Sequence, residues 1–357
     1  MKKINLSKNI EELHYPIIFD SAKSAKDSLA RLAEALKSEN AVPVTLEVFS
    51  GDFAESGVKE FLETMGIPNL PVNWIKPLDE TSLPVLAGAH ITAIKGCTPK
   101  FAATKQENRS VFYSTPEADY CRTFGIIVKS EDSDGYKHTL DNLEEISAAL
   151  EIFGFSYNDI ARTWFYNDDI LSWYAPFNKA RTEFYSEHKI FEGLLPASTG
   201  IGAPNRAGKK ITSGAIAMKP HSDSIKISEL ESPLQCGATD YGSSFSRAVE
   251  IETPHSRRIM ISGTASIESG GKTAHEGDIK AQVKLTMDVI EAILRSRNMN
   301  FSDTVRSIVY CLRPEYYASF LEWQRSRGID IPHCPSFSIV CRSDLLFEVE
   351  LEAAVNL

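Results

Sequence analysis

The strongest constraint on this chain is that part of it is written twice. Residues 157–166 ("YNDIARTWFY") lie over 301–310 ("FSDTVRSIVY"), pairing Asp159 with Asp303, Arg162 with Arg306 and Tyr166 with Tyr310 at one fixed offset. Ahead of each copy stands a segment with apolar residues at helical spacing: Leu143, Ile146 and Leu150 in one, Met287, Ile290 and Leu294 in the other. Behind each stands a second helical segment, in which Arg181 falls over Arg325. The pattern predicts a duplicated unit of strand, hairpin, helix, strand, helix and strand. At 357 residues the chain fits two or three domains. The copies are expected over 108–220 and 232–357, with a polar, proline-bearing linker at 219–235. In the second copy "RRIMISGTASI" reads as the opening strand, and in the first "TFGIIVKSEDSDGYKHT" reads as strand and loop. Residues 1–107 hold a predicted helix ("SAKSAKDSLARLAEALKSEN") and a predicted strand ("PVTLEVFSG"). A third, eroded copy is left open there, since no residue-by-residue alignment supports it.

Near the end of the chain Phe347, Val349 and Leu351 alternate with Glu348, Glu350 and Glu352. Side chains two apart on a strand share a face, so three carboxylates stand in a row. A solvated strand face accounts for such a row. Laid over "KITSGAIAMKP" (210–220), the acids fall on Ser213, Ala215 and Ala217. One copy then keeps acid where the other is neutral, as a single asymmetric active site would require.

The net charge of -10 argues against nucleic acid, which needs a basic surface. A small anionic substrate would need a local arginine cluster. No apolar run approaches the roughly 20 residues that span a bilayer, and "MKKINLSKNIEELHYP" lacks the apolar core of a signal peptide. The 6 cysteines are scattered without a CxxC pair, which predicts reduced thiols and a cytoplasmic protein. The 8 histidines show no metal-ligand spacing, so neither metal nor cofactor is expected. "GAPNRAGKK" (202–210) fails as a phosphate loop, because its glycines are spaced too widely and Lys210 stands where Ser or Thr belongs. No GxSxG elbow is present.

Short strings carry a resemblance. "SSFSRAV" (243–249), "ISGTASI" (261–267) and the acidic closing strand resemble the Rid (reactive-intermediate deaminase) superfamily. "ARTWFY", "WYAPFNKARTEFY", "LPASTGIGAPN" and "CRSDLLFEVE", in that order, narrow it to a duplicated branch: residues 108–357 resemble the chorismatases, which release pyruvate from chorismate. The resemblance implies an α+β fold of chorismate-mutase-like, Rid-like units. Mixed sheets would form a barrel-like core with helices outside. Two units and the N-terminal segment would build a pseudo-trimer from one chain, present as a monomer or a homotrimer. It further implies chorismate as small-molecule substrate, with no nucleic-acid or membrane partner.

Residue roles follow from the same source. Glu348, the first acid of the closing strand, matches the catalytic carboxylate; it must stay protonated well above the ordinary glutamate value of about 4.3. Glu350 and Glu352 are expected to be solvated or structural. Cysteine-bearing members resemble enzymes that make 3-hydroxybenzoate through an epoxide, whereas members with alanine there make a dihydrodiol. Cys341 therefore points to the aromatic product, or is a buried structural thiol. Ala248 and Ala265 stand at variable positions, which leaves a mixture with 4-hydroxybenzoate open. Arg162, Arg181, Arg247 and Arg313 are the candidates for holding two carboxylates, the last two equally suited to the surface. Thr199 and Gly200, in "STGIGA" (198–203), offer backbone donors in a turn, or simply make the turn. The rivals are a dihydrodiol-forming hydrolase, a Rid-type imine or enamine deaminase, and a non-enzymatic binding protein. Rid deaminases hold their substrate with an arginine upstream of the acid, and the matching "IPHCPSF" (331–337) has none.

Overall fold

Three sheets carry the chain, and all three are laid out alike. The computed structural model describes residues 1–129 and 134–357. The first sheet uses β1 (Lys2–Ser7), β2 (Ile10–Phe19), β3 (Ala41–Phe49), β4 (Val72–Ile75) and β5 (Ala87–Lys95), with α1 (Ala22–Ser38) and α2 (Glu55–Met65) on either side of β3 in sequence. The second uses β6 (Lys100–Ala103), β7 (Arg109–Ser114), β8 (Ala118–Ile126), β9 (Ile160–Asn167), β10 (Ala197–Gly202) and β11 (Ile211–Pro220), with α3 (Gly135–Glu151) and α4 (Ile170–Glu187) around β9. The third uses β12 (Lys226–Leu230), β13 (Ala248–Glu252), β14 (Ser256–Ala265), β15 (Thr304–Cys311), β16 (Cys334–Phe337) and β17 (Phe347–Asn356), with α5 (Ile279–Arg295) and α6 (Tyr317–Arg327) around β15.

The strand orders are β1-β2-β5-β3-β4, β6-β7-β8-β11-β9-β10 and β12-β13-β14-β17-β15-β16. In each, the middle strand of the repeat pairs antiparallel with the closing strand and parallel with a short edge strand. The N-terminal segment thus has the same layout as the two copies visible in sequence, one edge strand shorter. This is an α+β pseudo-trimer in one chain. The sheets stay separate, so the expected barrel is three open walls around a shared centre.

Two expected boundaries move. β6 belongs to the second sheet, so that unit begins by residue 100 and not at 108. The anticipated linker holds β12, whose pairing to β13 makes it an edge strand of the third sheet. The strand part of "TFGIIVKSEDSDGYKHT" lies in β8, and its residues 130–133 lie outside the described residues.

Alternation along the strands sends each sheet's two faces to different partners. On β17, Phe347, Val349, Leu351 and Ala353 pack with Val283, Met287, Ile290 and Leu294 of α5. The opposite faces of all three sheets meet in a central core, where Phe49, Tyr166 and Tyr310 form a triangle with ring centroids 6.1, 6.4 and 6.4 Å apart. These three residues mark equivalent rungs of β3, β9 and β15. Glu348, Glu350 and Glu352 share that central side and are 5%, 0% and 1% exposed. The solvated reading is therefore wrong for all three, because the face opposite the helices is the interior.

Charge at the centre is paired. Arg306 binds Glu47 and Glu350, Arg162 also binds Glu350, and Arg258 binds Glu352 and Glu12. Burial alone would raise Glu352, but Arg258 and Arg306 outweigh it and hold its carboxyl down at about 2.

The rungs also correct the alignment of the closing strands. Tyr166 pairs with Thr212 and Tyr310 with Glu348. Thr212, Gly214 and Ile216 therefore stand where the third unit has Glu348, Glu350 and Glu352; Ser213, Ala215 and Ala217 lie one residue off, on the helix-facing side. A slip of one residue exchanges the faces of a strand.

Candidate active site

Glu348 is the second residue of β17, between Tyr310 of β15 and Ala265 of β14. Its side chain turns inward, toward β10 of the second unit. The backbone opposite must be bare to admit it: a Cβ on Gly263 would come within 2.1 Å of Glu348 Oε1 and 3.3 Å of Thr199 Cγ2. Here glycine serves close approach. The carboxyl faces a cleft of about 270 Å³ at the boundary of the second and third units.

Four elements line this cleft. From α4 come Tyr174, Phe177, Asn178 and Arg181, at the i, i+3, i+4, i+7 spacing of one helix face. Trp173 is non-helical and Pro176 follows within a turn, so the regular helix starts there, where proline is tolerated. β10 contributes Ser198 and Gly200, β14 contributes Gly263 and Ala265, and the loops contribute Phe245, Arg247, Cys341 and Arg342.

Electrostatics single out the acid. Burial pushes the Glu348 carboxyl up, and the neighbouring Glu350 charge pushes further; Arg162 and Arg247 pull the other way, and the balance stands at about 8. Glu350 is fixed as the source of that push, since Arg162 Nη2 and Arg306 Nη2 lie 3.0 and 2.7 Å from its oxygens and Trp164 Nε1 donates to it at 2.9 Å. Burial likewise pushes the Cys341 thiol up to about 12, with the nearby Glu348 adding to it. Cys341 is thus a neutral thiol, and Tyr174 lies beside it.

The cleft brings together Glu348, Cys341, Arg181, Arg247 and Gly200 of the residues expected from sequence. Arg181 is held among Phe165, Phe177 and Phe245, with its guanidinium carbon 5.8, 5.0 and 5.8 Å from their ring centroids, and its Nη2 donates to Asn178 Oδ1. Arg247 Nε donates to the Cys236 carbonyl at 2.9 Å.

Others are placed differently. Arg162 is fully buried behind the cleft, donating to Thr199 Oγ1 and to Glu350, so it supports the acids and does not face a ligand. Thr199 in turn accepts from the Gly263 N–H at 3.1 Å. Residues 198–202 form strand β10, paired in parallel with β9, and not a turn. Arg313 is exposed, beside Glu315 and outside the cleft, because it caps the short helical turn ahead of α6. Ala265 lines the cleft, whereas Ala248 packs into the core beneath α5. Arg342 was missed: its loop joins β16 to β17 as residues 203–210 join β10 to β11, but the two loops differ in length and sequence, and only its adjacency to Cys341 hinted at it. Among the described residues no three His, Cys, Asp or Glu side chains gather as metal ligands, and no helix is long and apolar enough to cross a membrane.

The three-sheet fold is shared with a solved chorismatase, which superposes with a TM-score of 0.69 over 99% of both chains at 18% identity. The chain has the chorismatase fold. In sequence it is similar to a 3-hydroxybenzoate synthase of Streptomyces hygroscopicus, 29% identical over 56% of this chain and 64% of that one. It is also similar to a chorismatase of Streptomyces rapamycinicus, 31% identical over 40% of this chain and 45% of that one. The matched stretches span roughly half to two thirds of those relatives. No family model matches. The resemblance read from short strings thus holds in sequence and in fold.

Proposed function

We propose that the cleft converts chorismate to pyruvate and 3-hydroxybenzoate. The observation that carries this reading is one buried carboxyl, lifted to about 8, facing a cleft lined by Arg181, Arg247 and Arg342. A dianion with two carboxylates fits that set of cations. Glu348 delivers its proton to the methylene carbon of the enolpyruvyl group, which leaves an oxocarbenium centre beside the ether oxygen. The ring hydroxyl then attacks the adjacent ring carbon, displaces pyruvate and gives its own proton back to the Glu348 carboxylate. The ring epoxide that remains opens, its oxygen taking a proton as the ring carbon loses one, to give the phenol. Pyruvate and hydroxybenzoate together hold every atom of chorismate, so no water is consumed. Cys341, uncharged beside the acid, takes up space that a water molecule would need for the competing dihydrodiol route.

The curated relative named as a 3-hydroxybenzoate synthase supports the choice of product. The setting proposed is cytoplasmic, on the strength of cysteines that are all free. The test is chorismate turnover read as pyruvate through lactate dehydrogenase, with the aromatic product resolved by chromatography. Glu348→Gln should cut pyruvate release by about 10²–10⁴-fold with the fold intact. Wild-type turnover in that variant, or ammonia released from an imino acid by the native chain, would remove the assignment.

A further inference from the structure

The pseudo-threefold layout makes three boundaries between units, and the acid-bearing cleft occupies one of them. The boundary between the first and second units holds a larger cavity, about 580 Å³. It is built from equivalent parts. Its helix face is Glu55, Val58, Lys59 and Leu62 of α2, the same i, i+3, i+4, i+7 set that Tyr174, Phe177, Asn178 and Arg181 make on α4. Gly125 lies in a bulge of β8 opposite Gly214, as Gly263 lies in a bulge of β14 opposite Glu350. Trp74 occupies the rung of Gly200, and Thr212 that of Glu348. Ser110 pairs with Thr123 as Ala248 pairs with Ile261, so Arg109 stands where the acid-bearing cleft has Arg247.

The differences between the two clefts define what this one can do. Arg109 is kept, Leu62 replaces Arg181, and Thr212 replaces the acid. Thr212 donates to Asn73 Oδ1 at 3.1 Å and has no carboxyl proton to give. Of the Arg181 and Arg247 positions only the second keeps its arginine, and Lys59, in a loose 3.9 Å pair with Glu63, also lines the cavity. The walls are Val58, Leu62, Val72 and Trp74, and the Arg206 guanidinium stacks 4.6 Å from the Trp74 ring while bound to Glu55. Such a stack presents a flat face to a flat ligand. The third boundary offers no such room at the matching rung, where Gly88 replaces the acid and an added Cβ would come within 2.4 Å of the Ile17 carbonyl oxygen.

We infer that the cleft between the first and second units is a second ligand site, which binds a planar aromatic monocarboxylate and leaves it unchanged. The probe is benzoate, titrated calorimetrically into the full chain carrying Arg181→Gln, which weakens anion binding in the acid-bearing cleft. Benzoate should still bind once per chain. Adding Arg109→Gln, or separately Leu62→Glu on the half-exposed helix face, should weaken it by about tenfold or more, the scale of a lost charge-assisted contact. Thermal melting verifies that each variant is folded. Acetate at equal concentration should fail to displace benzoate. No binding in the Arg181→Gln background, binding indifferent to both further changes, or equal displacement by acetate would each overturn the inference. The readout is independent of chorismate turnover, so it stands or falls apart from the proposed activity.

Discussion

Glu348 and Glu352 sit four residues apart on one strand face, yet the first is held near 8 and the second near 2. Arginine contact decides between them: Arg258 and Arg306 reach Glu352, while Glu348 has burial and Glu350 against it. The signs for stability are opposite. Glu352, depressed, stabilises the fold above its unfolded value near 4.3 and loses that contribution as pH falls through about 2. Glu348, raised, favours the fold fully only below that unfolded value, and the benefit is gone as pH rises through about 8. Glu348→Gln should therefore be more stable than the wild type at pH 8 by on the order of a few kcal/mol, seen as a higher melting temperature, while pyruvate release falls about 10²–10⁴-fold. Turnover of the native enzyme should decline above about pH 8, as the acid loses its proton. Glu350→Gln removes the charge that lifts Glu348, so the alkaline limb of the pH–rate profile should move to lower pH. An unmoved limb in a folded Glu350→Gln protein would show that burial alone sets the acid. Cys341→Ala should raise the share of dihydrodiol over hydroxybenzoate, measured by chromatography.

At the scale of elements, the β14 bulge brings the second unit's β10 and the third unit's β17 together over one bare glycine. Gly263→Ala puts a methyl group where the Glu348 oxygen lies. It should cost most of the turnover while circular dichroism stays native, because the acid, and not the sheet, must move. Elements are also where sequence reading fared unevenly. The helices and middle strands were legible, since Asp159, Arg162 and Tyr166 recur with their surrounding periodicity. The register of β11 was not, because "SGAIA" puts small residues on both faces and the pattern does not fix which turns inward. The acids of β17 alternate cleanly with large apolar residues, and what sequence could not show is that the face opposite the helices meets the other two sheets. Arg342 and the chemistry of the second cleft depend on residues far apart in sequence. They become visible only when sheets meet.

For the whole molecule, each cleft is completed by two units of the same chain, and the central core already joins all three sheets. A self-contained monomer is the proposed state, and gel filtration should report a mass near 39.6 kDa; a stable trimer at micromolar concentration would contradict it. The first unit kept the layout but so little of the sequence that no alignment reaches it, which is why only topology reveals the third copy.

The ring of rungs around Phe49, Tyr166 and Tyr310 has one further implication. In an assembly of identical subunits every change is made three times at once. Here Thr45, Arg162 and Arg306 share a level, as do Gly88, Thr212 and Glu348, and no two members of the second set agree. Such divergence is closed to identical copies, and with unlike charges at the centre the thirds are not interchangeable. Joining the copies in one chain thus lets one boundary carry an acid, another a threonine beside a wider cavity, and the third a glycine packed against its neighbour.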